Sequence, residues 1–394
     1  MITVQQAEQI INARLLHIPS KVTPLLEAHG KILREDLFAD RDFPPFNRVM
    51  MDGIALRVAD FSTGQRTFFI EGVAPAGSPQ MTLQQAGNCL EVMTGCMLPN
   101  GVDAVIPYEE IEIADGKATV HIDAISTFQN IHPQGKDQAK GALVISKNTR
   151  IGAGEIAVAA TIGKTELLVA ELPKVLLIST GDELVDVSET PLPHQIRRSN
   201  SFMLSALLAE NGIDSAQVHL NDNKATLREK LAKYMQHYRI IMLSGGVSKG
   251  KYDFVPEVLE SLGVEKLFHR VKQRPGKPFW FGQAPNSTTF FALPGNPVSS
   301  LVCAKRYFLP WLQKSIGQAL PPRYATLTER IEFKKSLTLF QQVQLTSAPD
   351  GRLLASPLRG HGSGDLMSLI GVNGFVELPA DKTVFEAGEV VKLL

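Results

Sequence analysis

The chain is 394 residues long, past the size at which one core keeps growing, so several domains are expected. Forty basic residues balance forty acidic ones and aromatics make up only 7%. This argues against a nucleic-acid-binding surface and leaves charge selectivity to local clusters. Cys89, Cys96 and Cys303 are odd in number and far apart, without metal spacing or a disulfide framework, which suits a reducing, cytoplasmic setting. No basic leader and no uncharged apolar run of spanning length is present, so neither secretion nor membrane insertion is expected.

In chain order, residues 4–17 read as an amphipathic helix with Val4, Ala7, Ile10, Ile11 and Leu15 on one face and Thr3 as its N-cap. From about 62 to 170 short alternating runs at 66–71, 88–93 and 117–122, separated by Gly, Pro and Asn, predict β-rich modules. After Pro173 the pattern changes. Apolar runs at 174–180, 214–220, 239–244, 264–271 and 288–293 alternate with helical stretches at 200–211, 224–237, 253–262 and 297–317, which predicts a mainly parallel, doubly wound α/β sheet. Beyond Pro321-Pro322 the helices stop. Residues 324–394 return to short β runs with turns at Pro349-Asp350-Gly351, Val372-Asn373-Gly374 and Ala387-Gly388, the pattern of a small C-terminal β domain.

The chemistry concentrates at four predicted strand ends of the α/β region: Ser179-Thr180-Gly181-Asp182-Glu183, Leu220-Asn221-Asp222, Ser244-Gly245-Gly246-Val247-Ser248 with Asp253 beyond, and Pro294-Gly295-Asn296-Pro297-Val298-Ser299-Ser300. Ligands of open α/β sheets sit outside the carboxyl ends of the strands, so these four ends should line one crevice. Backbone donors of the Gly245-Gly246 and Gly295 turns, with hydroxyls of Ser248, Ser299 and Ser300, suit anionic oxygens. Glu183, Asp222 and Asp253 supply the hard oxygen ligands that Mg²⁺ prefers when it bridges carboxylates to a substrate phosphate. Between prolines and around a glycine, Arg274 and Lys277 can be held toward an anion. Asp52-Gly53 reads most simply as a turn, and Cys96, lacking a partner histidine, as a buried apolar residue.

These pieces in this order resemble the molybdopterin molybdenumtransferase family: Phe43-Pro44-Pro45-Phe46, Met51-Asp52-Gly53, Thr94-Gly95, Gly135-Lys136-Asp137, Ser179-Thr180-Gly181-Asp182-Glu183-Leu184, Ser244-Gly245-Gly246-Val247-Ser248, Pro275-Gly276-Lys277-Pro278 and Leu293-Pro294-Gly295-Asn296-Pro297. The resemblance spans nearly the whole chain. It implies a cytoplasmic homodimer with four domains per subunit. These are a β-rich linker domain (20–38 and 141–172), a β-rich domain reaching the partner's cleft (39–140), a molybdopterin-binding α/β domain (1–19 and 173–318) and a C-terminal β-barrel (319–394). It implies Mg²⁺-dependent insertion of molybdenum from molybdate into adenylylated molybdopterin, with release of AMP. Asp52, Asp137, Glu183, Asp222 and Asp253 are then the catalytic acids, the last three also binding Mg²⁺. Thr94, Gly95, Ser179, Thr180, Gly181, Asn200, Ser244 to Ser248 and Pro294 to Pro297 contact the pterin substrate, and Arg274, Lys277, Pro278 and Ser299 contact molybdate. The molybdopterin adenylyltransferase is the implied delivery partner. Two departures stand out. Arg274 replaces a family lysine, exchanging a point charge for a planar fork. The segment 336–342 lacks two arginines that relatives often carry, which leaves Arg352, Arg359 or His361 as replacements. The competing readings are a molybdopterin adenylyltransferase or related nucleotide-processing enzyme, which shares the α/β module, and a gephyrin-like scaffold as a secondary role.

Overall fold

Unbroken apolar runs such as Val175-Leu176-Leu177-Ile178 are stable only in strands covered on both faces. In the computed structural model of the chain, which describes residues 1–247, 253–318 and 321–394, these runs form the centre of a six-stranded sheet. Its strands are β1 (Val175–Thr180), β2 (Ser215–Leu220), β3 (Ile240–Ser244), β4 (Glu265–His269), β5 (Trp280–Gln283) and β6 (Thr289–Leu293), in the spatial order β2-β1-β3-β6-β5-β4. β2, β1, β3 and β6 are mutually parallel; β5 is antiparallel to both of its neighbours, β6 and β4, so the edge strand β4 points the same way as the parallel set. Two sequence expectations are corrected here. β5 was not anticipated, because Pro278 and Gly282 punctuate a four-residue strand as though it were a loop. The run at 264–271 shortens to the strand Glu265–His269, and the unanticipated β5 is inserted between it and β6 in the opposite direction.

Side-chain alternation along β1 sends Val175 and Leu177 to one core and Leu176 and Ile178 to the other. The first core takes Leu204 and Leu208 from the helix Asn200–Glu210, Trp311, and Val4, Ala7 and Ile11 of the N-terminal helix; the second takes Leu227, Leu231, Val258 and Leu259. The N-terminal helix, Val4–Asn12, opens with a capping box: Gln6 N–H donates to Thr3 Oγ1 at 3.1 Å, and Thr3 N–H donates to Gln6 Oε1 at 2.9 Å. It ends before residue 17. Tertiary partners take over the backbone there, Trp311 Nε1–H donating to Arg14 O at 2.9 Å and Leu16 N–H to Ser315 Oγ at 3.1 Å. The expected helix 297–317 is likewise interrupted by a π turn at Ala304–Phe308, where Pro310 has no N–H to return to Arg306 O.

Residues Met1–Lys21, Gly30–Ile32 and Leu168–Leu394 form one compact unit. Within it the C-terminal region closes into a five-strand β-barrel. Thr338–Ser347 pairs with both Leu353–Pro357 and Gly374–Leu378, and Tyr324–Leu327 and Val390–Leu393 complete the ring. The two-residue strand Gln273–Arg274 joins Thr338 and Leu339 in parallel, extending the barrel wall. A buried arginine ties three segments of this unit: Arg306 donates through Nη2 to Glu8 Oε2 at 2.8 Å and through Nε to Glu377 Oε2 at 3.0 Å.

The second unit comprises Val22–His29 and Leu33–Leu167. Its six-stranded sheet orders Ala104–Pro107, Gly53–Leu56, Asn88–Val92, Thr67–Ala74, Lys117–Val120 and Ile111–Ala114, and Leu37–Phe38 pairs separately with Leu143–Ile145. Asp52-Gly53 is not a free turn: Gly53 opens a buried strand, where an added Cβ would lie 1.9 Å from Ile106 O. A helix, Ala153–Thr161, interrupts the β-rich stretch; Gly152 N–H donates to Glu155 Oε2 at 2.8 Å at its start. Among the described residues no helix is long and apolar enough to cross a membrane.

Candidate functional site

The sheet register brings the predicted strand ends together. Thr180 lies opposite Leu220, Ser179 opposite Ser244, and Ser244 opposite Leu293, so the chain leaves β1, β2, β3 and β6 at one level. The loops beyond surround a cavity of about 560 Å³, the size of a small-molecule site. Ser179, Thr180, Gly181, Glu183, Asn200, Asp222, Ser244, Gly245, Gly246, Val247, Asp253, Pro278, Pro294, Gly295, Asn296 and Pro297 all line it.

Close backbone approach explains the glycines. Gly245 adopts φ +103°, and a Cβ there would stand 2.6 Å from Thr180 O; Gly295 comes near enough that its own Cβ would lie 3.6 Å from Gly245 Cα. Asn200 fastens the two turns to each other, its Nδ2 donating to Ser244 Oγ at 2.8 Å and Gly295 O at 2.6 Å. The Thr180 hydroxyl is enclosed and has no hydrogen-bond partner among the described residues, so a polar ligand atom would relieve it. Ser299 is buried and does not line the cavity, and Ser248 lies outside the described residues.

The acids concentrate negative charge on one side. Burial, then the charges of Asp182, Glu183 and Asp253, push the Asp222 carboxyl up to about 6. Among the described residues no three His, Cys, Asp or Glu side chains form a cage for a metal ion. The donor set nevertheless fits Mg²⁺, which is commonly held by one or two carboxylates together with substrate phosphates. Because folded Asp222 keeps a proton that the unfolded chain has released, its contribution favours folding at low pH and is lost as pH rises from about 4 to about 6. Asp222→Asn is therefore expected to raise the apparent melting temperature relative to wild type at pH 7.5 but not at pH 4, and Mg²⁺ should narrow the difference. Equal shifts at both pH values in thermal melts would assign the effect to something other than this ionisation.

In the second unit the Asp52 carboxyl is lowered from its ordinary value by Thr94, whose N–H and Oγ1 donate to its Oδ1 at 2.6 and 2.7 Å. The same unit pairs Asp137 Oδ1 with His132 Nε2 at 2.7 Å and turns Gly95 through φ +86°. Cys96 is buried, and burial raises its thiol, so it is packing material.

Three known family models match successive stretches of the chain. Residues 2–163 match the MoeA N-terminal region (domain I and II), 176–314 a "Probable molybdopterin binding domain", and 324–394 the MoeA C-terminal region (domain IV). A molybdopterin molybdenumtransferase of Synechocystis sp. is 40% identical over 99% of this chain and 98% of its own length. The chain belongs to the molybdopterin molybdenumtransferase family. A relative of that name from Bacillus subtilis is 31% identical over 92% of this chain and 87% of its own. The molybdopterin biosynthesis MoeA protein of Pyrococcus horikoshii superposes with a TM-score of 0.84 at 26% identity, all of each chain being covered.

Within this family member, the turn expected to face molybdate is separate from the cavity lining except for Pro278. Arg274 and Lys277 are exposed, and neither side chain has a hydrogen-bond or ion-pair partner among the described residues. Arg352 is committed to Asp350, Nη2 to Oδ2 at 2.7 Å, while Arg359 and His361 precede a segment that reaches the cavity through Gly364 and Leu366. Ser363 holds that segment in place: its Oγ accepts from Asn296 Nδ2 at 2.9 Å and its carbonyl from Val298 N–H at 3.2 Å. Sequence reasoning missed these two lining residues, and also Leu184, Ile196, Arg197, Arg198 and Ser199. The adjacent charges of Arg197-Arg198 were the one available signal; Arg198 pairs with Asp186.

Proposed function

We propose that this enzyme inserts molybdenum from molybdate into adenylylated molybdopterin, with Mg²⁺ assisting release of AMP, and that it works as a homodimer. The observation that carries the reading is the convergence of two glycine-lined backbone turns and the acids Glu183, Asp222 and Asp253 on one cavity. Donors at Ser244, Gly246 and Gly295 would hold and orient the pyrophosphate, the Gly245 N–H being engaged by Leu293 O at 3.2 Å, and the acids would hold Mg²⁺, which when bound neutralises charge on the departing phosphate. Rate acceleration then comes from positioning and electrostatics, with Asn200 keeping the two cradles at fixed separation. Purified protein given adenylylated molybdopterin, Mg²⁺ and molybdate should release AMP and form active cofactor. Transfer of AMP from ATP onto molybdopterin would identify an adenylyltransferase instead.

The cations at 274 and 277 are expected to serve molybdate rather than the pterin. A charged hydrogen bond contributes roughly 1.5–3 kcal/mol, so Arg274→Ala or Lys277→Ala should raise the half-saturating molybdate concentration by about one to two orders of magnitude. Affinity for adenylylated molybdopterin should be nearly unchanged. Equal losses for both ligands would place these charges on the pterin phosphate. Asp52 is expected to matter through the partner subunit's cleft. Asp52→Ala and Asp253→Ala homodimers should each be inactive, while mixed dimers recover activity in one cleft; absence of recovery after verified exchange would put both acids in the cleft of a single chain.

A further inference from the structure

Beneath the turn from Arg274 to Lys277, whose two cations are exposed and whose Gly276 is buried, lies a buried amide. Gln273 is 1% exposed and Tyr307 2%, and the Tyr307 hydroxyl donates to Gln273 Oε1. That bond fixes which end of the amide faces the turn. Gln273 Nε2 then donates to Pro275 O at 3.2 Å and to Gly276 O at 3.1 Å. There is no slack around it: a Cβ on Gly276, which has φ +87°, would stand 2.6 Å from Cys303 Sγ and 2.7 Å from Gln273 Nε2.

Carbonyl and N–H point in opposite directions across a trans peptide. The two peptides that give their carbonyls to Gln273 therefore turn the N–H groups of Gly276 and Lys277 to the opposite side, and neither N–H has a partner among the described residues. Successive N–H groups around a left-handed glycine make an anion-binding concavity. Here they belong to the turn that also carries the unpaired Arg274 and Lys277 side chains. Were Gln273 unable to donate, the Pro275 carbonyl would lose its side-chain donor and the Gly276 carbonyl would keep only the weak Cys303 thiol, 3.8 Å away, among the described residues; both could then rotate outward and present oxygen lone pairs to an anion.

We propose that Gln273, locked by Tyr307, is a positioning residue that orients the 274–277 turn to bind a tetrahedral oxyanion through the Gly276 and Lys277 N–H groups as well as through its two cations. Naming that oxyanion as molybdate rests on the function proposed above. The N–H donors would add direction to what two long, mobile cations provide only as charge.

The test measures molybdate and sulfate binding to the full-length protein by calorimetry, together with turnover against molybdate. Gln273→Met keeps the volume and removes the donor; its molybdate Kd and half-saturating concentration should rise about tenfold. Turnover at saturating molybdate and affinity for adenylylated molybdopterin should stay within about twofold, a split that general loosening of the fold would not give. Tyr307→Phe leaves the ring packing intact and should raise the molybdate Kd less than Gln273→Met, which keeps the idea testable if the latter folds poorly. An unchanged molybdate Kd in both variants, or equal losses for molybdate and pterin, overturns the positioning role. Should wild type bind sulfate as tightly as molybdate and Gln273→Met weaken both, the N–H site stands and the molybdate assignment falls. If wild type binds neither oxyanion, both fall.

Discussion

Removing any one of Glu183, Asp222 or Asp253 is expected to lower Mg²⁺-dependent AMP release by about 10²–10³-fold while leaving the fold intact. All three line the cavity, and none belongs to a hydrophobic core. Truncation therefore removes charge from a solvent-facing surface, where stability changes are usually small. Asp222 gives the sharpest case, because activity and stability should move in opposite directions. Its carboxyl is crowded by Asp182, Glu183 and Asp253, so Asp222→Ala should melt no lower than wild type above pH 6 while losing most turnover. The Mg²⁺ concentration needed for half-maximal rate should rise in each variant that retains measurable activity. Full turnover in a folded Asp222→Ala or Asp253→Ala protein would remove that acid from the mechanism.

The largest expected stability effect lies away from the cavity. Arg306 is buried between Glu8 of the N-terminal helix and Glu377 of the barrel. Arg306→Ala would leave both carboxylates without their shared cation, with Lys314 and Lys392 reaching them only at 3.8 and 3.9 Å. Deleting one partner of a buried ion pair costs about 3–5 kcal/mol, whereas replacing the whole set by uncharged groups costs far less. The urea midpoint of Arg306→Ala should therefore fall steeply, and Arg306→Met combined with Glu377→Gln and Glu8→Gln should recover much of the loss. A single Arg306→Ala variant as stable as wild type would show that water or the two lysines already satisfy the glutamates.

The α/β core was legible because β1, β3 and β6 are unbroken apolar runs, and their ends carry Gly, Ser and acids where a parallel sheet places its ligands. β5 was not, since Pro278 and Gly282 give a buried strand the punctuation of a loop. Likewise Leu15, which fits the helical period, sits outside the helix because Trp311 and Ser315 bind the backbone beside it. Within the site the same division holds. Local motifs exposed the cradles formed by Gly245 and Gly295, while Asn200 entered through family resemblance and its bridging role is visible only once three loops are in place. Gln273 carried no sequence signal, because an amide next to a basic turn reads as one more solvated polar residue until the register of Gln273–Arg274 against Thr338 and Leu339 buries it.

The Ser363 latch makes the cavity a property of two covalently distant stretches of chain. A fragment cut after residue 318 could keep the sheet and every glycine turn, yet it would lack Gly364 and Leu366 and leave Asn296 Nδ2 without its hydroxyl acceptor. The α/β module of this protein is thus a bowl with a gap in its rim, closed only once the C-terminal barrel has left the ribosome and folded back against it.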